Sequence, residues 1–293
     1  MSEALVAQLI CPSGAVRSET FERGIEVLER LDISHRCAPG ALSREGYFAG
    51  SDEARGHRLL QALASDATAL WMVRGGYGAI RTLHAIGEEL AAHQPKPLWG
   101  FSDGTALLAA WDRMGWPAWH APPLIQLPRL DAESLSRLDR AWHAGQVPGL
   151  TGLETLFPGT AHAPLAGGNL CVLASLVGTP YAARLKDRIL LLEDIDEPAY
   201  RVNRLFTQLL YSGALDGVRG LVLGDFSGVD DSERAAIERF FAAVAQELRI
   251  PMARGCPSGH GTRNVPLPCG GGSGFSASLD ASTPTATLTF HDV

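Results

Sequence analysis

Three residues of this chain stand where strands end and loops open, and together they suggest nucleophilic acyl transfer. Ser102 sits in GFSDG at 100–104, directly after the apolar PLW and directly before TALLAAW. A nucleophile elbow needs that strand–turn–helix context, because the sharp turn lifts the hydroxyl clear of a sheet. Flanking Gly100 and Gly104 relieve the crowding a side chain would cause there. The helix that follows turns its free N–H groups and positive dipole end toward an oxyanion, with the Asp103 N–H as the natural first donor. A plain turn with an N-cap would carry the same letters, so the partners of the serine decide.

A serine hydroxyl needs a base within hydrogen-bond reach, usually a histidine. Of nine histidines, His260 stands in GHGTRN at 259–264, between two glycines that leave its ring in an uncrowded loop. His35, His57, His84, His93 and His143 fall in polar or helical surroundings, whereas His120 and His162, in Pro-rich loops, are open as substrate contacts. The base needs an acid to fix its tautomer and stabilise the imidazolium. ILLLEDIDEPAYR at 189–201 offers Glu193, Asp194, Asp196 and Glu197. Glu193 follows a fully apolar strand, at the carboxyl end where α/β sites gather. The plain alternative is that all four acids form a solvated loop and helix cap.

The elements that must position these groups alternate. Apolar 4–10, 67–73 and 97–101 read as strands, and 20–31, 51–65, 79–90 and 105–114 as helices, with RGGYG at 74–78 a glycine turn. Such alternation implies an α/β fold with a parallel sheet covered by helices on both faces. Prolines and glycines then punctuate a stretch holding one helix, Ala132 to His143. We expect domains at 1–130 and 164–293 with 131–163 as the linker region. The second domain shows strands at 189–192 and 220–223, helices at 199–212 and 231–248, and a Gly/Ser/Thr-rich tail suited to antiparallel edge strands, hence a mixed sheet.

At 293 residues and 46% hydrophobic, the chain can build a sizeable core. Its net charge of −7, without a basic cluster, argues against nucleic acid. Five scattered cysteines (Cys11, Cys37, Cys171, Cys256, Cys269) form no CxxC pair, so free thiols in a reducing compartment are expected. No signal-peptide pattern and no apolar stretch of about 18 residues appear, which fits a soluble cytoplasmic protein away from membranes. No HExxH or paired-Cys spacing suggests a metal.

RGGYGAIRTL, GFSDGTALL, GGNLCVLASLVGTPY, LLLEDIDEPAYRVNRLFTQL and GHGTRNVPLPCG resemble, in order, the motifs of the serine LD-carboxypeptidases, a family that includes the microcin-immunity peptidases. The resemblance implies an N-terminal domain like that of class I glutamine amidotransferases and a smaller C-terminal α/β domain, with the substrate cleft between them. It implies Ser102 as nucleophile, Glu193 as acid, His260 as base, the Gly76 N–H as second oxyanion donor, and Arg74 and Asn169 as substrate contacts. The implied substrate is a murein tetrapeptide cut before its terminal D-alanine, without metal or cofactor, by a homodimer of cell-wall recycling. A free carboxylate on the leaving side asks for an arginine fork, for which Arg74 and Arg201 are the candidates. Where the family usually has His-Gly-Pro, this chain has His120, Ala121 and Pro122. Other readings are a microcin-type peptidase acting on an aminoacyl-nucleotide, with Trp142 and Phe157 as stacking candidates, an α/β-hydrolase esterase, and a non-catalytic two-domain binding module.

Overall fold

The computed structural model describes residues 5–293. The first half alternates as its apolar periods predict. Strands β1 (Val6–Ile10), β2 (Ser34–Cys37), β3 (Ala69–Met72), β4 (Leu98–Gly100) and β5 (Ala118–His120) run parallel. Residue 4 of the expected first strand lies outside the described residues. Between them come helices α1 (Ser18–Arg30), α2 (Asp52–Ala64), α3 (Ala79–Ile86) and α4 (Thr105–Met114). Ser51 starts α2 by accepting the Ala54 N–H, and Gly115, at φ +68, ends α4.

Residues 131–163, expected to link two domains, hold helix α5 (Ala132–Ala144) and strands β6 (Leu150–Phe157) and β7 (Thr160–Ala163). The remaining elements are β8 (Leu165–Asn169), α6 (Leu170–Leu176), β9 (Ile189–Ile195), α7 (Ala199–Tyr211), β10 (Gly220–Ser227), α8 (Asp231–Leu248), β11 (Met252–Arg254), β12 (Leu267–Cys269), β13 (Phe275–Asp280) and β14 (Thr285–Asp292). They give a mixed eight-stranded sheet, β7-β13-β14-β6-β11-β10-β9-β8, parallel from β8 to β11 and antiparallel through the tail. One strand crosses back: β12 pairs antiparallel with β5, completing the six-stranded sheet β12-β5-β4-β3-β1-β2. The α/β class with a parallel first sheet and a mixed second one is therefore as read from the sequence.

Three apolar layers hold the two sheets. One spans both, joining Leu70, Leu98 and Leu107 to Leu165, Leu191 and Val222, all under 4% exposed. Fully burying one such side chain contributes about 1.5–3 kcal/mol relative to leaving it exposed. A second layer, under the first sheet, stacks Trp71, Trp99 and Trp119 against Trp142 of α5, with ring centroids 5.0–5.3 Å apart. Trp142 is therefore core, not a stacking platform for a base. The third packs α6, α7 and α8 on the outer face of β9 and β10. Among the described residues no helix is long and apolar enough to cross a membrane, and the five cysteines are free.

Candidate active site

The serine turn is built from strained and crowded backbone. Phe101 leaves β4 extended, and Ser102 then takes φ +58, a left-handed conformation that costs a residue with a Cβ about 1–2 kcal/mol. A strained serine at a strand end is a functional signal read from the structure. Ser102 to Gly104 form one tight turn, closed by the Gly104 N–H donating to Phe101 O at 2.9 Å, and α4 follows at once. Glycine at 104 leaves room for the Met72 thioether, which would have to shift for a Cβ, since that atom would lie 2.3 Å from Met72 Sδ.

The glycine turn after β3 lies over this serine. A Cβ on Gly75 would meet Ser102 Oγ at 2.9 Å and the Asp103 nitrogen at 3.2 Å, while one on Gly76, at φ +101, would meet the Tyr47 hydroxyl at 2.3 Å. The Asp103 carboxylate fastens the turn from beneath: it accepts from Ser13 Oγ at 2.6 Å and from the Ala79 N–H, the first residue of α3, at 2.8 Å. Burial pushes the pKa of Asp103 up, and the Ser13 and Ala79 hydrogen bonds oppose that shift.

The candidate acid and base meet at the second sheet, Glu193 on β9 and His260 in the loop that follows β11. Glu193 lies within β9, which runs two residues beyond it rather than ending before it as expected; it is fully buried, and its Oε2 accepts from His260 Nδ1 at 2.9 Å. The pairing fixes the tautomer, since a carboxylate only accepts. A glycine at 224 on β10 makes room, because a Cβ there would lie 3.1 Å from Glu193 Cβ and 2.3 Å from Ser258 O. The His260 ring packs on Phe101, the residue before the serine, with centroids 4.5 Å apart. Ser102 Oγ itself makes no hydrogen bond to His260 within 3.5 Å. Open nucleophile–base geometry is common in ligand-free sites.

The other acids do different work. Asp194 accepts from Asn169 Nδ2 at 2.8 Å and from the N–H groups of Cys171 and Ile195 at 2.9 Å, and burial raises its pKa to about 6. Glu197 pairs with Arg201 at 2.8 Å, and Asp196 sits in a left-handed turn at φ +59. Asn169 is buried, and its Oδ1 caps α6 by accepting the Val172 N–H at 3.1 Å. Arg74 donates to Ala15 O and lies 5.8 Å from the centre of the Tyr47 ring. Arg201, on α7, is half-exposed.

His120 and His162 are not brought together with the triad candidates as open contacts. His120 is fully buried, with Nδ1 3.3 Å from Ser258 Oγ, and desolvation lowers its pKa to about 4, so it is neutral. His162 is on edge strand β7, bonded to Ser278 Oγ at 2.8 Å. Ala121, where the resembled family has glycine, adopts no positive φ and donates its N–H to Gly100 O at 2.9 Å, so alanine serves there. Sequence reasoning missed Gln126 and Asn264, two buried amides that bond to each other and to the His260 loop. The one sequence signal for Gln126 is a polar residue inside an apolar run, LIQLP; Asn264 has none beyond its place in GHGTRN. A cavity of about 660 Å³ opens beyond β10 between Glu154, Asp225, Arg254 and Arg263, and neither Ser102 nor His260 lines it.

Comparison with known proteins covers nearly the whole chain. The family model for the LD-carboxypeptidase N-terminal domain matches residues 7–121, and that for the LD-carboxypeptidase C-terminal domain matches residues 162–273. A murein tetrapeptide carboxypeptidase of Pseudomonas aeruginosa is 34% identical over 280 residues, covering 89% of this chain and 90% of that protein. The crystal structure of muramoyltetrapeptide carboxypeptidase from Oxalobacter formigenes superposes with a TM-score of 0.83 at 29% identity, over 97% of this chain and 99% of that one. The microcin C7 self-immunity protein MccF, in complex with aspartyl sulfamoyl adenosine, shares the fold with a TM-score of 0.84 at 19% identity, over 99% of this chain and 97% of that one.

Proposed function

The chain belongs to the LD-carboxypeptidase family, and from that premise we propose that it hydrolyses the bond before the terminal D-alanine of a murein tetrapeptide. In this reading Ser102 is the nucleophile, His260 the base and Glu193 the acid that orients it. The observation that carries it is the convergence of two separately built halves. The first sheet contributes a serine at φ +58, and the second contributes a His260–Glu193 pair at 2.9 Å resting on Phe101.

Ser102 Oγ attacks the carbonyl carbon of the L-centre while its proton passes to His260 Nε2, the nitrogen left free by Glu193. The carbonyl oxygen takes the electron pair, and the N–H groups of Asp103 and Gly76 donate to it. Collapse breaks the C–N bond as His260 gives its proton to the departing D-alanine amine. Water, deprotonated by the same histidine, then releases the tripeptide from Ser102. The scheme uses neither metal nor cofactor. Arg74 flanks the glycine turn and is better placed than Arg201 for the D-alanine carboxylate, because Arg201 is paired with Glu197.

The test is alanine release, by mass spectrometry, from the tetrapeptide, its C-terminal amide and its L-alanine isomer. The free acid is cleaved; the amide falls by as much as about 10⁴-fold, because removing the charge leaves the carboxylate's donors unpaired, and the L-isomer, which directs its carboxylate elsewhere, is not cleaved. Equal rates on acid and amide would end the carboxypeptidase reading. An aminoacyl-adenylate analogue in the same assay addresses the nucleotide reading, which the shared fold leaves open, and cleavage of that compound alone would select it. An α/β-hydrolase esterase builds its elbow and partners on one sheet, whereas here the serine and its partners come from two.

A further inference from the structure

The histidine proposed as base stands in a loop whose two glycines give it little stiffness of its own. Something must hold that backbone, and the structure places a side chain there from the other sheet. Gln126 lies in the turn after β5 and is 2% exposed. Its Nε2 donates to Gly259 O at 2.8 Å and to Gly261 O at 3.0 Å, the two carbonyls that flank His260. Its Oε1 accepts from Asn264 Nδ2 at 2.8 Å, four residues further along the same loop. The amide can face only one way, because a flip would set its oxygen against two carbonyl oxygens. The start of α5 adds two more ties, with the Asp131 N–H donating to Thr262 O at 2.8 Å and Ser134 Oγ accepting the Asn264 N–H at 3.2 Å.

We propose that Gln126 is the positioning residue for the base: by bridging the carbonyls on either side of His260 it fixes where the imidazole stands relative to Ser102. Glu193 sets the rotation of the ring and its tautomer, and Gln126 sets the backbone from which the ring hangs. Because Gln126 follows β5 and Ser102 follows β4, neighbouring strands of one sheet, the amide also ties the second sheet's base to the sheet that carries the nucleophile. The inference rests on the reading of His260 as base but not on the identity of the peptide.

The test compares Gln126→Leu and Gln126→Glu with the wild-type chain. The glutamate keeps the volume and the acceptor for Asn264 but turns a carboxylate toward the two carbonyls, so it is the variant to read if leucine impairs folding. Two rates are measured: kcat and KM on the tetrapeptide, and the rate at which a fluorophosphonate labels Ser102, which needs the base but no particular substrate. Displacement of a catalytic group by about 1 Å costs on the order of 100-fold. Both variants therefore lose about 10- to 100-fold in kcat and in labelling rate, with KM within about twofold, while circular dichroism stays native. Wild-type labelling and kcat in a folded variant overturn the proposal, as does a rise in KM at constant kcat. Wild-type labelling without tetrapeptide cleavage would instead count against the peptide reading and leave the Gln126 comparison intact.

Discussion

Replacing Glu193 by glutamine isolates charge from shape. The side chain is fully buried and keeps its volume, and only Oε2 has a partner, the His260 Nδ1–H at 2.9 Å. When His260 takes the serine proton, the pair becomes carboxylate and imidazolium. With charge centres about 4 Å apart and an effective dielectric of about 20, their attraction is about 4 kcal/mol. A neutral amide forfeits most of that in the transition state, or about three decades of rate at 1.36 kcal/mol per decade. His120, whose ring is near enough to feel Glu193, supplies no compensating charge, because burial keeps it neutral. The expected result is a fall in kcat/KM for alanine release of about 10³-fold, well short of the loss of the nucleophile. Stability should not fall, since a buried carboxylate with one unpartnered oxygen is replaced by a neutral isostere. Retention of more than a third of wild-type kcat/KM would refute the role given to Glu193, and a melting temperature several degrees lower would refute the electrostatic account.

Ser102→Ala should lower kcat about 10⁶-fold with native circular dichroism, and His260→Ala about as much because the two act as one unit; a tenth of wild-type alanine release would mean that another group attacks. Asp194 predicts a pH dependence of stability. Its folded pKa, about 6, lies above the unfolded value, so the unfolded chain loses the proton first and stability falls as pH rises from about 4 to 6, then levels off. The full window corresponds to at most about 3 kcal/mol at 1.36 kcal/mol per unit. Asp194→Asn should flatten that segment of the urea-midpoint curve, and an unchanged slope would show that other acids carry it.

What could be read from the sequence depended on distance along the chain. Helices α4 and α8 fall at the bounds their apolar periods predict, and Ser102 and Glu193 stand out as candidates because an apolar run that stops at a polar residue is a local pattern, although β9 continues to Ile195. The three-residue strands β5, β11 and β12 are too short to show any period. In β6 and β7 the period is broken by Gly152, at φ +74, and by the nearby Gly159, so a run of paired strands read as a linker. Trp142 reads as a stacking candidate because an aromatic near the end of a lone helix has no visible partner in the sequence, yet α5 turns it into the tryptophan stack under the first sheet. The Gln126 bridge marks the limit of such reading. It joins positions 133 and 135 residues apart, and its acceptors are backbone carbonyls, which every residue type supplies. The triad candidates carry side chains that chemistry can name in advance. The groups that hold them in place are recognised by where their partners lie, and that follows only from the fold.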